Sequence, residues 1–139
     1  KKIRDNWKGK LVIKGVESIH DVEKACNIGL DGIIVSNHGG RQVDVGQATI
    51  DSMNSIIPKY KNKIKIMMDS GIRGGADVAR VMSCGADFCF LGRTFMYGVS
   101  ALGKKGGTHT ITMLKKQLTQ IMEQFSCGEI SDFQDKIIK

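Results

Sequence analysis

Proline is nearly absent from this 139-residue sequence: Pro58 stands alone against 17 glycines. That balance suits the turns of an alternating α/β chain better than disorder, which needs a proline-rich, apolar-poor composition. No apolar run approaches the roughly 20 residues of a membrane span, so a spanning helix is not expected. The opening Lys1-Lys2-Ile3-Arg4-Asp5 has no apolar stretch behind it, and no secretory leader is expected there. The four cysteines, Cys26, Cys84, Cys89 and Cys127, form no C-x-x-C pair and no zinc spacing. Cys26, Cys84 and Cys89 lie among apolar residues and read as small buried hydrophobes, which fits a reducing, cytoplasmic setting. Acidic residues are the scarcer charge, 14 against 21 basic ones, for a net charge of +7. Aromatics make up only 6%, and the basic residues are spread along the chain without a recognition motif. Nucleic acid is therefore not the expected partner.

What is present is organised around Ile33-Ile34-Val35-Ser36-Asn37-His38-Gly39-Gly40-Arg41-Gln42. Three β-branched residues without alternation predict a strand buried on both faces. It stops in a turn that carries a hydroxyl, a carboxamide, an imidazole and a guanidinium. Ligands of α/β folds bind at such strand ends. His38 can exchange a proton near neutral pH. Arg41 can grip a carboxylate or phosphate with two parallel hydrogen bonds.

Around this strand the elements alternate. A polar lead-in covers Lys1 to Lys10. Leu11 to Lys14 reads as the first strand, ended by Gly15. Ser18 can cap a helix over Ile19 to Asn27, which Gly29 closes. A second helix spans Ala48 to Ile57 and is stopped by Pro58. Lys65 to Asp69 is the third strand, and Ala76 to Ser83 the third helix. Asp87 to Leu91 is the fourth strand, ended by Gly92-Arg93. A short helix over Phe95 to Ala101 and a glycine- and lysine-rich loop over Leu102 to Gly107 follow. The last long helix runs from Thr110 to Phe125, with Leu114, Leu118, Ile121, Met122 and Phe125 on one face. Ser131 to Lys139 is a short helical tail.

Part of this order repeats. Gly15-Val16, Asp21-Val22 and Gly29-x-Asp31 recur as Gly71-Ile72, Asp77-Val78 and Gly85-x-Asp87, all at an offset of 56 residues. Tandem strand-helix-strand modules imply right-handed crossovers and a parallel sheet. Four strands could form a small open sheet or half of a closed barrel. A whole (β/α)8 barrel needs about 250 residues.

In parallel topology the four strand ends share a face: Lys14; Ser36 with His38 and Arg41; Asp69 with Arg73; and Gly92-Arg93. Ser70-Gly71-Ile72-Arg73-Gly74-Gly75 opens a helix, so its free amides and positive dipole end are expected to face an anion. Gly92-Arg93 adds a second turn and a second guanidinium. Together the two turns read as a phosphate cradle, a recurrent feature after the last strands of barrels.

Ser36-Asn37-His38-Gly39-Gly40-Arg41-Gln42, followed by Val43-Asp44, resembles the active-site signature of FMN-dependent α-hydroxy-acid oxidases and dehydrogenases. The resemblance runs from Leu11 to the end of the long helix. It implies a single-domain fragment over residues 1–139, the C-terminal half of a (β/α)8 TIM barrel, and it implies FMN as cofactor. Lys14 and Ser36 would contact the isoalloxazine, with Lys14 against its pyrimidine ring. His38 would be the catalytic base, and Arg41 would bind the substrate carboxylate. Asp69, Ser70, Gly71, Ile72 and Arg73, with Gly92 and Arg93, would hold the ribityl phosphate. Two residues depart from the usual pattern: Ser70, where many members have glycine but lactate oxidases are similar, and Thr94, where proline is usual.

The activity so implied is oxidation of an L-2-hydroxy acid, lactate- or glycolate-like, to the 2-oxo acid. The expected partners are that acid, the missing N-terminal half of the barrel and further copies in a tetramer-like assembly. Four strands alone are expected to be inactive. Another phosphate-binding barrel enzyme, such as a purine nucleotide reductase, would use the same cradle but needs a catalytic cysteine in a strand-end loop. No cysteine here follows a strand into a glycine-rich turn. A non-catalytic fragment is the third reading.

Overall fold

A computed structural model describes residues 2–136. It divides into two compact units: residues through Gly71 together with Ala86–Phe88, and Ile72–Gly85 together with the residues from Cys89 on. Four strands stand in the order β1-β2-β3-β4. They are β1 (Val12–Val16), β2 (Gly32–Val35), β3 (Lys65–Met68) and β4 (Phe88–Cys89). β1 pairs parallel with β2, and β2 with β3.

The first unit builds its core on β2 and β3. Ile33, Val35 and Ile66 are fully buried, but Ile34 and Met67 on the other face are only half-buried, so the expected burial on both faces is met on one. Helices α1 (Lys2–Asn6), α2 (Ile19–Asn27) and α3 (Thr49–Tyr60) complete it, with Val22, Met53 and Ile56 buried. Ser18 caps α2 by accepting the Asp21 amide, as expected. Two expectations fail in instructive ways. Gly15 does not end β1; the strand runs through it to Val16 as a register shift, with Gly15 at φ +87. Pro58 does not stop α3, which continues to Tyr60. Proline removes its own helical hydrogen bond, but the next turn still closes, Lys61 N–H to Ile57 O at 3.1 Å.

The second unit is helical: α4 (Gly75–Ser83), α5 (Arg93–Leu102), α6 (Gly106–Gln124) and a 3-10 run over Ile130–Lys136. Its core joins Ala79, Cys127 and Phe133, with Leu118, Ile121 and Met122 of α6 packed on them. Of the apolar stripe, Leu118, Ile121 and Met122 thus pack on the core, Leu114 is half-buried and Phe125 is exposed. Of the cysteines, Cys127 is the buried one; Cys26, Cys84 and Cys89 are half-buried. Burial still pushes the Cys84 and Cys89 thiols up. The stretch read as a loop is a 3-10 turn over Gly103–Lys105, and α6 starts early, at Gly106. A Cβ on Gly98 of α5 would lie 2.9 Å from the Gly106 carbonyl, so this crossing needs glycine. β4 is two residues rather than five, and Phe88 and Phe90 are exposed. Of the tail, Ile137 to Lys139 lie outside the described residues.

The repeat has a physical cause. α2 and α4 are both nine residues long and begin 56 residues apart. The aspartate behind each clamps the start of a strand. Asp31 donates its amide to Leu11 O and accepts the Leu11 amide on Oδ2; Asp87 does the same with Ile66. Each carboxylate also holds cations, Arg4 and Lys10 on Asp31, Lys61 and Lys65 on Asp87.

Hydrogen bonding by Lys10, then by the Leu11 amide, lowers the Asp31 carboxyl to about 2. Burial would raise Asp87, but the Ile66 amide and Lys65 bonds outweigh it and hold it below the ordinary value. A depressed folded pKa means stability that is complete above the unfolded value, near 3.8, and is lost as pH falls through about 2. Asp31→Asn in the intact protein is therefore expected to lower stability at neutral pH and to flatten the acid limb of a urea-midpoint profile. An unchanged acid limb would remove Asp31 from this role.

Candidate active site

In the first unit the ends of β1, β2 and β3 converge on one cluster. Lys14 Nζ donates to Ser36 Oγ at 2.8 Å and lies 2.9 Å from Asp69 Oδ2. Ser36 is buried and its hydroxyl also accepts the His38 amide at 3.2 Å. Ser70 Oγ donates to Asp69 Oδ1 at 2.8 Å and accepts the Gly39 amide at 3.0 Å. Burial would raise the Asp69 carboxyl; hydrogen bonds from Ser36, Lys14 and Ser70 and the Lys14 charge outweigh it and keep it ionised below the ordinary range. Lys14 and Asp69 thus form a locked ion pair. The ammonium has three donors, and among the described residues two are used.

His38 and Arg41 stand above this cluster, both exposed. A 3-10 turn over His38–Gly40 presents them, capped by Asn37, whose Oδ1 accepts the Gly39 amide at 2.9 Å. His38 has φ +56, an uncommon left-handed conformation for a residue with a side chain. Gly15 explains the imidazole's seat. A Cβ at Gly15 would lie 2.8 Å from His38 Cε1, so the β1 bulge makes room for the ring. Sequence reading took Gly15 for a strand terminator; its spacing from His38 carries no local signature.

The second unit supplies the other turns. Here one expectation needs correction. The amides at the start of α4 are already taken: Arg73 and Gly74 donate to Asp77 Oδ2, and Gly75 to Gln117 Oε1. Asp77 sits three residues past the cap residue Gly74, where a carboxylate reaches back to the helix start. α5 is different. Its cap residue, Gly92, offers no side-chain hydrogen bond, and a Cβ there would meet nothing within 4 Å. A glycine at an uncapped helix start that borders open space leaves room for a ligand at the positive dipole end. The turn before α4 is pinned to it: Thr94 Oγ1 donates to Arg73 O at 3.2 Å, with Ile72 O at 3.5 Å. Thr94 is a residue whose role the sequence did not disclose. Beside it lies a cavity of about 630 Å³ bounded by Arg73, Tyr97, His109 and Met113 among others.

These residues suit a flavin mononucleotide in chemical type. Backbone amides of a helix start and the exposed Arg73 guanidinium fit a dianionic phosphate. A lysine with a donor to spare, on a buried serine, fits an electron-accepting ring that gains negative charge.

Alternating strands and helices with charged strand ends define an α/β barrel-type piece. The description FMN-dependent dehydrogenase matches residues 1–139, and the chain belongs to that family, whose cofactor is FMN. L-lactate dehydrogenase of Actinobacillus pleuropneumoniae serotype 5b is 44% identical over 130 residues, covering 94% of this chain and 34% of that protein. The L-lactate dehydrogenase of Alcaligenes faecalis is 40% identical over 136 residues. Among solved structures, a soluble mutant of the membrane-associated (S)-mandelate dehydrogenase from Pseudomonas putida superposes with a TM-score of 0.88 at 33% identity, over 95% of this chain and 37% of that one. Mandelate oxidase with benzoyl-formic acid gives 0.89 at 29% identity. The chain thus spans about a third of the length of these relatives and matches the C-terminal portion of their (β/α)8 barrel. No described helix is long and apolar enough to cross a membrane.

Gly15→Ala is expected to destabilise the protein by at least about 1 kcal/mol, because φ +87 is unfavourable for any L side chain. It should also displace the His38 ring, read as a shift of the imidazole resonances. Parental stability and parental His38 resonances together would show that the bulge is not the seat of the ring.

Proposed function

We propose that this chain is the C-terminal portion of an FMN-dependent barrel that oxidises an L-2-hydroxy acid, lactate- or glycolate-like, to its 2-oxo acid. The supporting observation is the hydrogen-bonded cluster of Lys14, Ser36 and Asp69, with exposed His38 and Arg41 above it. Lys14 and Ser36 face the isoalloxazine. By the family resemblance, Asp69, Ser70, Gly71, Ile72 and Arg73, with Gly92 and Arg93, hold the ribityl phosphate. When bound, FMN accepts the two electrons of the oxidation. Arg41 grips the carboxylate of the acid through its planar fork. His38 takes one proton from the substrate. The Lys14 ammonium, fixed by Asp69, offsets negative charge gained by the ring it faces. The remaining barrel strands come from the rest of the protein. Half-buried, unpaired cysteines support the cytoplasmic setting that the composition suggests.

In the intact flavoprotein, His38→Ala is expected to slow flavin reduction by L-lactate by a factor of about 10²–10⁴, the usual contribution of a general base, with FMN still bound. Stopped-flow bleaching at the parental rate would remove His38 from the reaction. Arg41→Lys replaces a fork by a point charge and is expected to raise KM for the acid about tenfold or more. Equal KM in parent and variant would assign the carboxylate to another residue.

A further inference from the structure

We propose that Ser70 is a positioning residue: its hydroxyl ties the turn that carries His38 and Arg41 to the Asp69 carboxylate at the end of β3. The inference rests on the reading of His38 and Arg41 as substrate-facing groups.

Ser70 sits at φ +75, a region glycine enters freely and serine does not. Nothing in the backbone calls for a side chain there, so the reason for one lies in what its hydroxyl does. Its Oγ is used twice, donating to Asp69 Oδ1 at 2.8 Å and accepting from Gly39 N–H at 3.0 Å, across 31 residues of sequence. Its carbonyl accepts Thr49 Oγ1 at 3.4 Å, which holds the residue from α3.

The turn it grips needs an outside hold. His38, Gly39 and Gly40 follow one another at φ +56, +69 and +72. The bonds within the turn, Asn37 Oδ1 from Gly39 N–H and Asn37 O from Gly40 N–H, are local and move with it. Ser70 reaches it from another strand end. Because Asp69 is itself held by Lys14 at 2.9 Å, the tie continues to β1. One hydroxyl therefore sets the turn against the lysine that faces the same ligand.

The test uses Ser70→Ala and Ser70→Gly in the intact flavoprotein with FMN in excess. Alanine keeps the unfavourable φ and loses the tie; glycine relieves the backbone and loses the tie. Amide exchange by mass spectrometry over residues 37–42 reads the turn, and anaerobic stopped-flow with L-lactate reads the chemistry. Both variants are expected to exchange faster over that segment and to reduce the flavin about tenfold or more slowly, the scale of a small misplacement of reacting groups. A merely structural serine would be cured by glycine. Ser70→Gly with parental exchange and a parental reduction rate overturns the proposal, and that variant decides if Ser70→Ala does not fold. If the parent itself reduces no flavin with L-lactate, the functional reading fails, and the exchange measurement alone decides for or against the tie.

Discussion

The contact between Lys14 and Asp69 is the constraint on which the first unit's site depends. It joins Lys14 of β1 to the residue after β3 across β2, and Ser36, just past β2, is in hydrogen-bond contact with the lysine. Lys14 is about half exposed, 44%, so the pair is worth roughly 1 kcal/mol at most, as for other exposed ion pairs. Its value is geometric. An unpaired lysine side chain would sample many rotamers; paired with an ionised carboxylate, it holds one position. The carboxylate in turn stays ionised because the same lysine and two serine hydroxyls hydrogen-bond it. Each group fixes the other's state.

A second constraint sets the length of the repeat. Strand starts are clamped by the aspartates that follow the next helix, Asp31 on Leu11 and Asp87 on Ile66. The separation is 20 residues in the first clamp and 21 in the second. The helices, caps and aspartates keep the 56-residue offset, while the clamped strand starts lie one residue closer together. The register shift at Gly15 lies in that same strand, β1. The bulge then leaves Lys14 aimed at Asp69 and opens the space that the His38 ring fills.

These relations mark what the sequence could disclose. Element type and order were legible because apolar runs of β2 and β3 and the cap at Ser18 are local. The Asp31 and Asp87 pair was visible as a repeat, though its purpose was not, since the partners lie about 20 residues away. Strand-end residues Lys14, Ser36 and Asp69 are brought together as expected. What escaped was non-local. Gly15 reads as a terminator until His38 is placed beside it. The start of α4 reads as free until Asp77 and Gln117 are seen on its amides. Pro58 reads as a stop because it lacks an N–H, yet α3 runs two residues past it.

The occupied amides of α4 also shift weight within the second unit. A helix start already neutralised by a carboxylate has little field left to offer an anion, since Asp77 answers the dipole from inside. That leaves α5, whose first turn has no side-chain cap and opens at a glycine with no neighbour where a Cβ would stand. The Arg73 amide is taken by Asp77, while its side chain is exposed. Thr94 then matters beyond filling space. It lies one residue inside α5, and its hydroxyl pins the Ile72–Arg73 backbone from there. The first turn of α5 and the backbone that carries the Arg73 guanidinium are thereby tied together. Two donors of different kinds, a backbone dipole and a planar cation, suit an anion with several oxygens better than either alone.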